Sequence, residues 1–466
     1  MKINIITLGC SKNIVDSEHI AGQLRKAGFD IYFDGQPSHP ATQSPSHPAT
    51  QSPHFDIVIV NTCGFIGDAK EESVNTLLEQ IALKKRSRKP CRLIAVGCLV
   101  QRYEKELREE LPEIDAFYSF SQWGQLIENL KLEIKKVACA SDNSQFSILN
   151  SQFPRLQSTP RHYAYLKISE GCNRSCSYCA IPLIRGPHRS RPVEELLDEA
   201  KRMVADGVKE LIVIAQDTTY YGLDLYRRRA LGDLLNRLAD ESGAPWIRLH
   251  YTYPSSFPLD AIDAIARHPN ICNYIDIPLQ HINSRILDSM QRGIDREGTL
   301  RLLERFRTQL PDAAIRTTLI VGYPGETEAE FKELKDFVRT ARFDRMGCFA
   351  YSPEEGTAAY ALADDVPEEV KQRRVSELME IQEAISLEKN QARVGQEYQC
   401  LIDRIEDEYI VGRTQYDSPE VDDEVLIPTQ TIRQSSNQAI APAPGDFVTV
   451  RITDALENDL IGEIVG

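Results

Sequence analysis

Three cysteines stand in the run Gly171-Cys172-Asn173-Arg174-Ser175-Cys176-Ser177-Tyr178-Cys179. Their C-x3-C-x2-C spacing can set three thiolates round one iron–sulfur cube while the fourth iron stays open. Four-cysteine ligation fills every iron and suits electron transfer, so a compact triple points to a cluster that also binds a ligand. The alternative occupant is zinc. Structural zinc sites use paired C-x2-C knuckles with four ligands, and no second knuckle follows here. Three further cysteines, Cys10, Cys63 and Cys98, are too widely spaced for a local motif, and each taken singly reads equally as a small core residue. What they share is position, because each ends a short apolar run.

Those runs are the elements that must place them. Ile3-Asn4-Ile5-Ile6-Thr7-Leu8 leads into Gly9-Cys10, Asp56-Ile57-Val58-Ile59-Val60 into Asn61-Thr62-Cys63, and Arg92-Leu93-Ile94-Ala95-Val96 into Gly97-Cys98. Apolar strands alternating with helical stretches predict a doubly wound parallel α/β domain over residues 1–138. Ligands gather at the carboxyl ends of such strands, so three cysteines distant in sequence can converge on one edge. Within this domain Ser38-His39-Pro40-Ala41-Thr42-Gln43-Ser44-Pro45 recurs unchanged as residues 46–53. A Pro/Ser repeat buries no core and predicts a solvated loop over 36–54; His39, His47 and His54 are read as loop residues, because a Pro-rich insert preorganises no metal site.

Residues 139–160, rich in Ser, Gln and Asn, are expected to link domains. From Tyr163 six strand-and-helix repeats follow, with strands at 164–169, 210–215, 246–251, 274–278, 314–321 and 345–350. They predict a partial (β/α)6 TIM-like barrel over 161–390, whose active site lies at the carboxyl ends of its strands. The Cys172 run follows the first of them. Five short strands between turns in 391–466 predict a small closed β-barrel, so the fold class is α/β multidomain.

The 466 residues carry a net charge of −15, and 401–466 hold fourteen acids against four arginines and no lysine, a net −10. Phosphate binding needs concentrated lysine and arginine, so this balance speaks against a surface that grips nucleic acid. With no eighteen-residue apolar stretch and no signal-peptide pattern, the expectation is a cytoplasmic chain with no membrane partner, in which the eleven cysteines stay reduced.

C-x3-C-x2-C with Tyr178 before the last cysteine resembles the signature of the radical S-adenosylmethionine superfamily. Leu8-Gly9-Cys10-Ser11-Lys12-Asn13-Ile14-Val15-Asp16-Ser17-Glu18 resembles the opening of its methylthiotransferase family, and the C-terminal barrel resembles a TRAM domain. The resemblance spans nearly the whole chain, the repeat insert being its clear departure. It implies two 4Fe-4S clusters, an auxiliary one on Cys10, Cys63 and Cys98 and a radical one on Cys172, Cys176 and Cys179. It also implies S-adenosylmethionine in two roles, as methyl donor and as source of a 5'-deoxyadenosyl radical. Tyr178, Gln216, Asp217, Arg248, Gln280 and Thr318 are the candidate contacts of that cofactor. Arg185, Arg189 and Arg191 could meet a carboxylate, with surface solvation the default reading.

Gly9-Cys10-Ser11-Lys12-Asn13 and Ile214-Ala215-Gln216-Asp217-Thr218-Thr219-Tyr220-Tyr221-Gly222 resemble the ribosomal-protein branch of the family (RimO type) rather than the transfer RNA branch (MiaB type). The implied reaction converts an aspartate of small-subunit ribosomal protein twelve to 3-methylthioaspartate, by removal of a hydrogen from its β-carbon. A flavodoxin- or ferredoxin-like electron donor and a sulfide donor are the implied partners. The acidic C-terminal barrel is the electrostatic complement of a basic ribosomal protein. The alternatives are a transfer RNA methylthiotransferase and a non-enzymatic metal and RNA binding module. Val321-Gly322-Tyr323-Pro324-Gly325-Glu326-Thr327 lacks the G-K-[ST] ending of a phosphate loop. Cys91, Cys139, Cys272, Cys348 and Cys400 are read as structural.

Overall fold

The computed structural model describes residues 1–37, 54–135, 155–430 and 442–465. Residues 38–53 of the expected loop and 139–154 of the expected linker, Cys139 among them, lie outside the described residues, while Gln36 and Pro37, expected in that loop, form a short edge strand paired with Phe33 and Tyr32. The chain divides into two compact units. One comprises residues 1–159, 170–173 and 180–188, the other 160–169, 174–179 and 189–466.

The first unit is built on a six-stranded sheet ordered Gln36–Pro37, Asp30–Phe33, Lys2–Thr7, Ile57–Thr62, Arg92–Gly97, Ala116–Tyr118. All pairings are parallel except the edge pair Gln36–Pro37 with Asp30–Phe33. Alternate residues of one strand serve opposite cores: Ile57 and Ile59 pack with Ile20, Leu24, Trp123 and Leu126, while Val58 and Val60 pack with Leu77, Ile81 and Leu99. A strand covered by helices on both faces reads as an unbroken apolar run, which is why these strands stand out in the sequence. The end of the expected linker is anchored. Leu156 is buried in this core, and the Glu18 carboxylate accepts hydrogen bonds from Arg155 Nε (2.6 Å) and from the backbone N–H and hydroxyl of Ser158 (2.6 and 2.9 Å).

In the second unit six strands, Tyr163–Lys167, Glu210–Ile214, Trp246–Leu249, Tyr274–Asp276, Ala314–Val321 and Arg345–Ala350, fall near the expected positions. They form two parallel three-stranded sheets, joined where the Thr252 N–H donates to Asp276 O (3.1 Å). Along Ala314–Val321, Ile315, Leu319 and Val321 meet the surrounding helices, and period-two alternation turns Arg316, Thr318 and Ile320 to the opposite, inner face. The helix Glu328–Ala341 begins at Thr327, which forms a reciprocal capping box with Glu330. The run 321–327, set aside as a phosphate loop, is thus a helix entry.

The C-terminal strands Glu397–Ile405, Tyr409–Thr414, Glu424–Pro428, Phe447–Ala455 and Asp459–Ile464 close a barrel. The loop 415–423 of this barrel fills the space at the amino-terminal ends of the six parallel strands. Tyr163 and Tyr274 donate their hydroxyls to Glu420 and Asp422 (3.0 and 2.6 Å), Arg316 bridges Asp276 and Asp422 (3.2 Å each), and Arg345 pairs with Asp417 and Asp423 (2.5 and 3.0 Å). Deeper still, Glu210 lies between Arg248 (2.6 Å) and Arg413 (2.8 Å). Burial alone would raise the Glu210 carboxyl, but the two guanidiniums hold it below its ordinary value.

Removing one member of a buried ionic set leaves the others uncompensated, at a cost of about 3–5 kcal/mol. Arg316→Ala, which strands Asp276 and Asp422, should lower unfolding free energy by about that much in chemical denaturation. Asp423 carries the opposite signature. Burial, with Asp417 adding to it against Arg345 and the Asn390 amide, pushes its carboxyl from 3.8 to about 7. A carboxyl raised in the folded state contributes stability at acid pH that is lost as pH rises through that interval. Relative to Asp423→Asn, the native chain should therefore lose stability between pH 4 and 7, read from denaturation midpoints at fixed ionic strength; a flat difference would contradict the shift.

Candidate active site

Parallel register sets the three N-terminal cysteines at one sheet edge. Thr7 pairs with Asn61 and Thr62 with Gly97, so the strands end nearly level and Cys10, Cys63 and Cys98 follow within three residues. Gly9 takes a left-handed φ of +87°, and a Cβ there would lie 2.7 Å from both Cβ and Sγ of Cys63; only glycine lets the Cys10 turn lie so close. Cys63 and Cys98 are buried and Cys10 is exposed, which leaves the group open on one side. Burial, then the neighbouring Cys98 and Cys10, pushes the Cys63 thiol up to about 12. Thiols that suppress one another's ionisation become thiolates when cationic metal lies among them, and the donor set therefore fits a three-cysteine iron–sulfur cluster. Among the described residues no group of three His, Cys, Asp or Glu is arranged to hold a single metal ion.

The helix Ser11–Lys26 ties this edge together, each polar residue with its own task. Asn13 donates from Nδ2 to Leu8 O (2.8 Å) and Thr62 O (3.2 Å). Its backbone carbonyl accepts from Asn61 Nδ2 (3.0 Å), so two strand ends are cross-linked through one buried side chain. Ser17 accepts from Thr7 Oγ1 (2.7 Å) and Asn61 Nδ2 (3.0 Å). Asp16 accepts from Arg185 Nη1 (2.6 Å). Arg185 and Arg191 are buried, which corrects the default of surface solvation for both; Arg191 pairs with Glu199 (2.6 Å), and Arg189 is exposed.

The Cys172 run is held from several sides. Cys172 N–H donates to Gly186 O (3.1 Å). Gly171 has φ +77°, and a Cβ there would come within 2.3 Å of Pro187 O. Cys176 Sγ lies 3.4 Å from the Tyr253 hydroxyl and accepts from Arg292 Nη1 (3.3 Å), while Cys179 N–H donates to Cys176 O (3.1 Å). Arg292 and Arg174 each stack on the Tyr253 ring, at 4.2 and 3.9 Å. Tyr178 packs against Ile286, Met290 and Tyr323 and accepts from Arg292 at its hydroxyl (3.2 Å); burial raises its phenol well above the ordinary value.

Of the candidate cofactor contacts, Gln216 and Asp217 follow the strand Glu210–Ile214 after Ala215, at its carboxyl end. Asp217 pairs with Arg174 (2.7 Å) and accepts from the Thr219 N–H (2.9 Å). Gln280 holds a left-handed φ of +73°, donates its N–H to Thr318 O (2.9 Å), and is buried with no hydrogen-bond partner for Oε1 among the described residues. An orphaned acceptor at the ligand-binding end of a strand fits a polar cofactor. Thr318 lies mid-strand on the inner face, between Arg316 and Ile320. Arg248 is placed elsewhere. Its side chain, fully buried, runs to Glu210 and to Gln415 O (2.8 Å) at the opposite, amino-terminal end, which corrects the expectation of a cofactor contact there. Sequence reasoning missed Asn13, Asp16, Tyr253 and Arg292; the first two were marked only by their place beside Cys10.

Three family models match in turn: an uncharacterized protein family, UPF0004, over 42–119, the Radical SAM superfamily over 166–338, and a TRAM domain over 394–465. The chain is 49% identical over 462 residues to the ribosomal protein uS12 methylthiotransferase RimO of Flavobacterium johnsoniae, covering 99% of this chain and 98% of that one. It is 48% identical over 464 residues to the Bacteroides fragilis protein of the same name, covering 99% of each. Among solved structures, the radical S-adenosylmethionine methyltransferase TsrM of Kitasatospora setae, with cobalamin and a 4Fe-4S cluster bound, aligns over 76% of both chains at a TM-score of 0.51 and 15% identity, a likeness of fold.

Asn13→Ala should orphan the carbonyls of Leu8 and Thr62 at a cost of about 1–3 kcal/mol. Denaturant unfolding of the metal-free chain should show that loss; an unchanged midpoint would mean the strand ends are held without it.

Proposed function

Because the chain belongs to the RimO family of radical S-adenosylmethionine methylthiotransferases, we propose that it adds a methylthio group to the β-carbon of an aspartate in ribosomal protein uS12, giving 3-methylthioaspartate. The observation that carries this reading is the gathering of Cys10, Cys63 and Cys98 at three level strand ends in a chain that also bears the C-x3-C-x2-C run. When bound, two 4Fe-4S clusters and S-adenosylmethionine supply the one-electron and sulfur chemistry, because no side chain is basic enough to remove an unactivated carbon-bound hydrogen.

The chain's own part is to bind, orient and shield. Cys10, Cys63 and Cys98 would hold the auxiliary cluster, and Cys172, Cys176 and Cys179 the radical cluster. Tyr178, Gln216, Gln280 and Thr318 are the proposed surroundings of S-adenosylmethionine. Asp217 would act there together with Arg174, whose guanidinium it already holds. Tyr253 and Arg292, both buried, hold the Cys176 thiol from one side. The proposed domains are 1–138, 161–390 and 391–466.

Radical chemistry of this kind requires an electron donor; a flavodoxin- or ferredoxin-like protein and a separate sulfide donor are proposed for those roles. Among the described residues no helix is long and apolar enough to cross a membrane; the cytoplasm, where ribosomes lie, is the proposed location. Exposed acids at two hairpin tips, Glu406, Asp407 and Glu408 on one and Asp454 and Glu457 on the other, complement a basic ribosomal protein and would repel transfer RNA.

The test is the mass of uS12, mapped to residue, after incubation with reconstituted chain, reductant and S-adenosylmethionine. A methylthio increment on one aspartate is expected; an unmodified uS12 alongside a modified transfer RNA adenosine would replace this reading with the other branch. Joint replacement of Cys10, Cys63 and Cys98 by Ala should abolish the increment yet leave reductive cleavage of S-adenosylmethionine measurable. Joint replacement of Cys172, Cys176 and Cys179 should abolish both.

A further inference from the structure

Arg185 sits on a five-residue helix, Ile181–Arg185, six positions after Cys179, yet its guanidinium reaches the other thiol group. It lies 3.4 Å from Cys98 Sγ through Nη2, which also donates to Asn13 Oδ1. Nη1 is spent on Asp16 (2.6 Å) and on both oxygens of Glu170 (3.4 Å each). The Phe120 ring covers its face at 4.0 Å, and the side chain is 2% exposed. Cys98, Ala180 and Ile184 form one apolar cluster beneath it, with Phe120 packed alongside.

Two carboxylates on one edge keep the cation charged and fix its plane, so the remaining N–H edge has a single direction, toward Asn13 and Cys98. A planar fork with five donors can satisfy two carboxylates, an amide and a sulfur together; lysine, a point charge, cannot. Asn13, in turn, also receives the Cys98 thiol at Oδ1 (3.6 Å), so thiol, amide and guanidinium form a closed triangle. Hydrogen bonds to ligand sulfurs are among the factors that set the potential of an iron–sulfur cluster, and partners behind a metal ligand orient it and govern metal affinity.

We infer that Arg185 is a positioning residue for the auxiliary cluster, holding Cys98 by an N–H···S bond that retains the cluster and raises its reduction potential. This rests on the reading of Cys10, Cys63 and Cys98 as that cluster's ligands. Removing the donor leaves more electron density on the sulfur, so the oxidised cluster is favoured and the midpoint moves to more negative potential.

The test uses the full chain with Cys172, Cys176 and Cys179 replaced by Ala, so that one cluster alone can load, and compares Arg185 with Arg185→Gln and Arg185→Lys. The readouts are iron per chain, the rate of iron loss to a chelator, and the midpoint from potentiometric titration followed by electron paramagnetic resonance. Arg185→Gln should shift the midpoint to more negative potential and hasten iron loss by about tenfold or more. Arg185→Lys, which keeps the charge that pairs with Asp16, should fold and show a smaller shift of the same sign. A melting temperature that falls while midpoint and iron retention stay unchanged in either variant would make Arg185 a structural ion-pair partner and overturn the inference. If the chain with Arg185 intact loads no iron at Cys10, Cys63 and Cys98, the ligand reading itself falls; iron loaded there with an Arg-independent midpoint removes only the inference.

Discussion

The parallel register of three neighbouring strands is the constraint from which the auxiliary thiol group follows. Lys2–Thr7, Ile57–Thr62 and Arg92–Gly97 end nearly level because Thr7 pairs with Asn61 and Thr62 with Gly97. A slip of one residue would displace a strand end by about 3.3 Å and exchange its two faces, driving Ile57 and Ile59 out of one core and Val58 and Val60 out of the other. The apolar packing that fixes the register therefore also fixes where the cysteines stand. Asn13 then fastens the ends together, and at its Oδ1 both Arg185 Nη2 and the Cys98 thiol meet.

Much of this was legible in the sequence for one physical reason: strands covered on both faces must be apolar throughout, and the cysteine interrupts each run where the sheet ends. The six strands of the second unit were legible as short runs alternating with helical stretches, and the Cys172 run because its three cysteines stand within eight residues. Arg185 was not. A five-residue helix is too short to show periodicity, and an arginine beside Gly186 and Pro187 has the look of a solvated turn. Asp217 was legible as a polar residue at a strand end, but the Arg174 that pairs with it lies 43 positions away and leaves no trace in local spacing.

Arg248 shows the same limit in sharper form. Period two turns it to the inner face of its strand, opposite Ile247 and Leu249. What period two cannot convey is which end of the lumen an arginine's long side chain will seek, because that depends on where the carboxylates are. Glu210 begins a neighbouring strand, and the loop 415–423 comes from a different domain more than 160 positions later. Once Glu210 and Gln415 O lie at the amino-terminal end, a buried guanidinium has its partners there, and the high cost of an unpaired buried charge decides the matter.

That same loop changes what the acidity of the C-terminal barrel means. Asp403, Asp417, Glu420, Asp422 and Asp423 all meet residues that precede the barrel: His162, Arg345, Tyr163, Arg316 and again Arg345. Asp403, Asp417 and Asp422 are compensated at contact by Arg413, Arg345 and Arg316, Asp423 lies buried against Arg345, and Glu420, bonded to the Tyr163 hydroxyl, is the one of the five left exposed. The acids at the two hairpin tips are of another kind, exposed and far less compensated, and long-range steering of a basic partner can arise only from such groups. A charge count over 401–466 adds the two kinds together. The fold separates them, setting one kind at the floor of the parallel strands and leaving the other exposed at the hairpin tips.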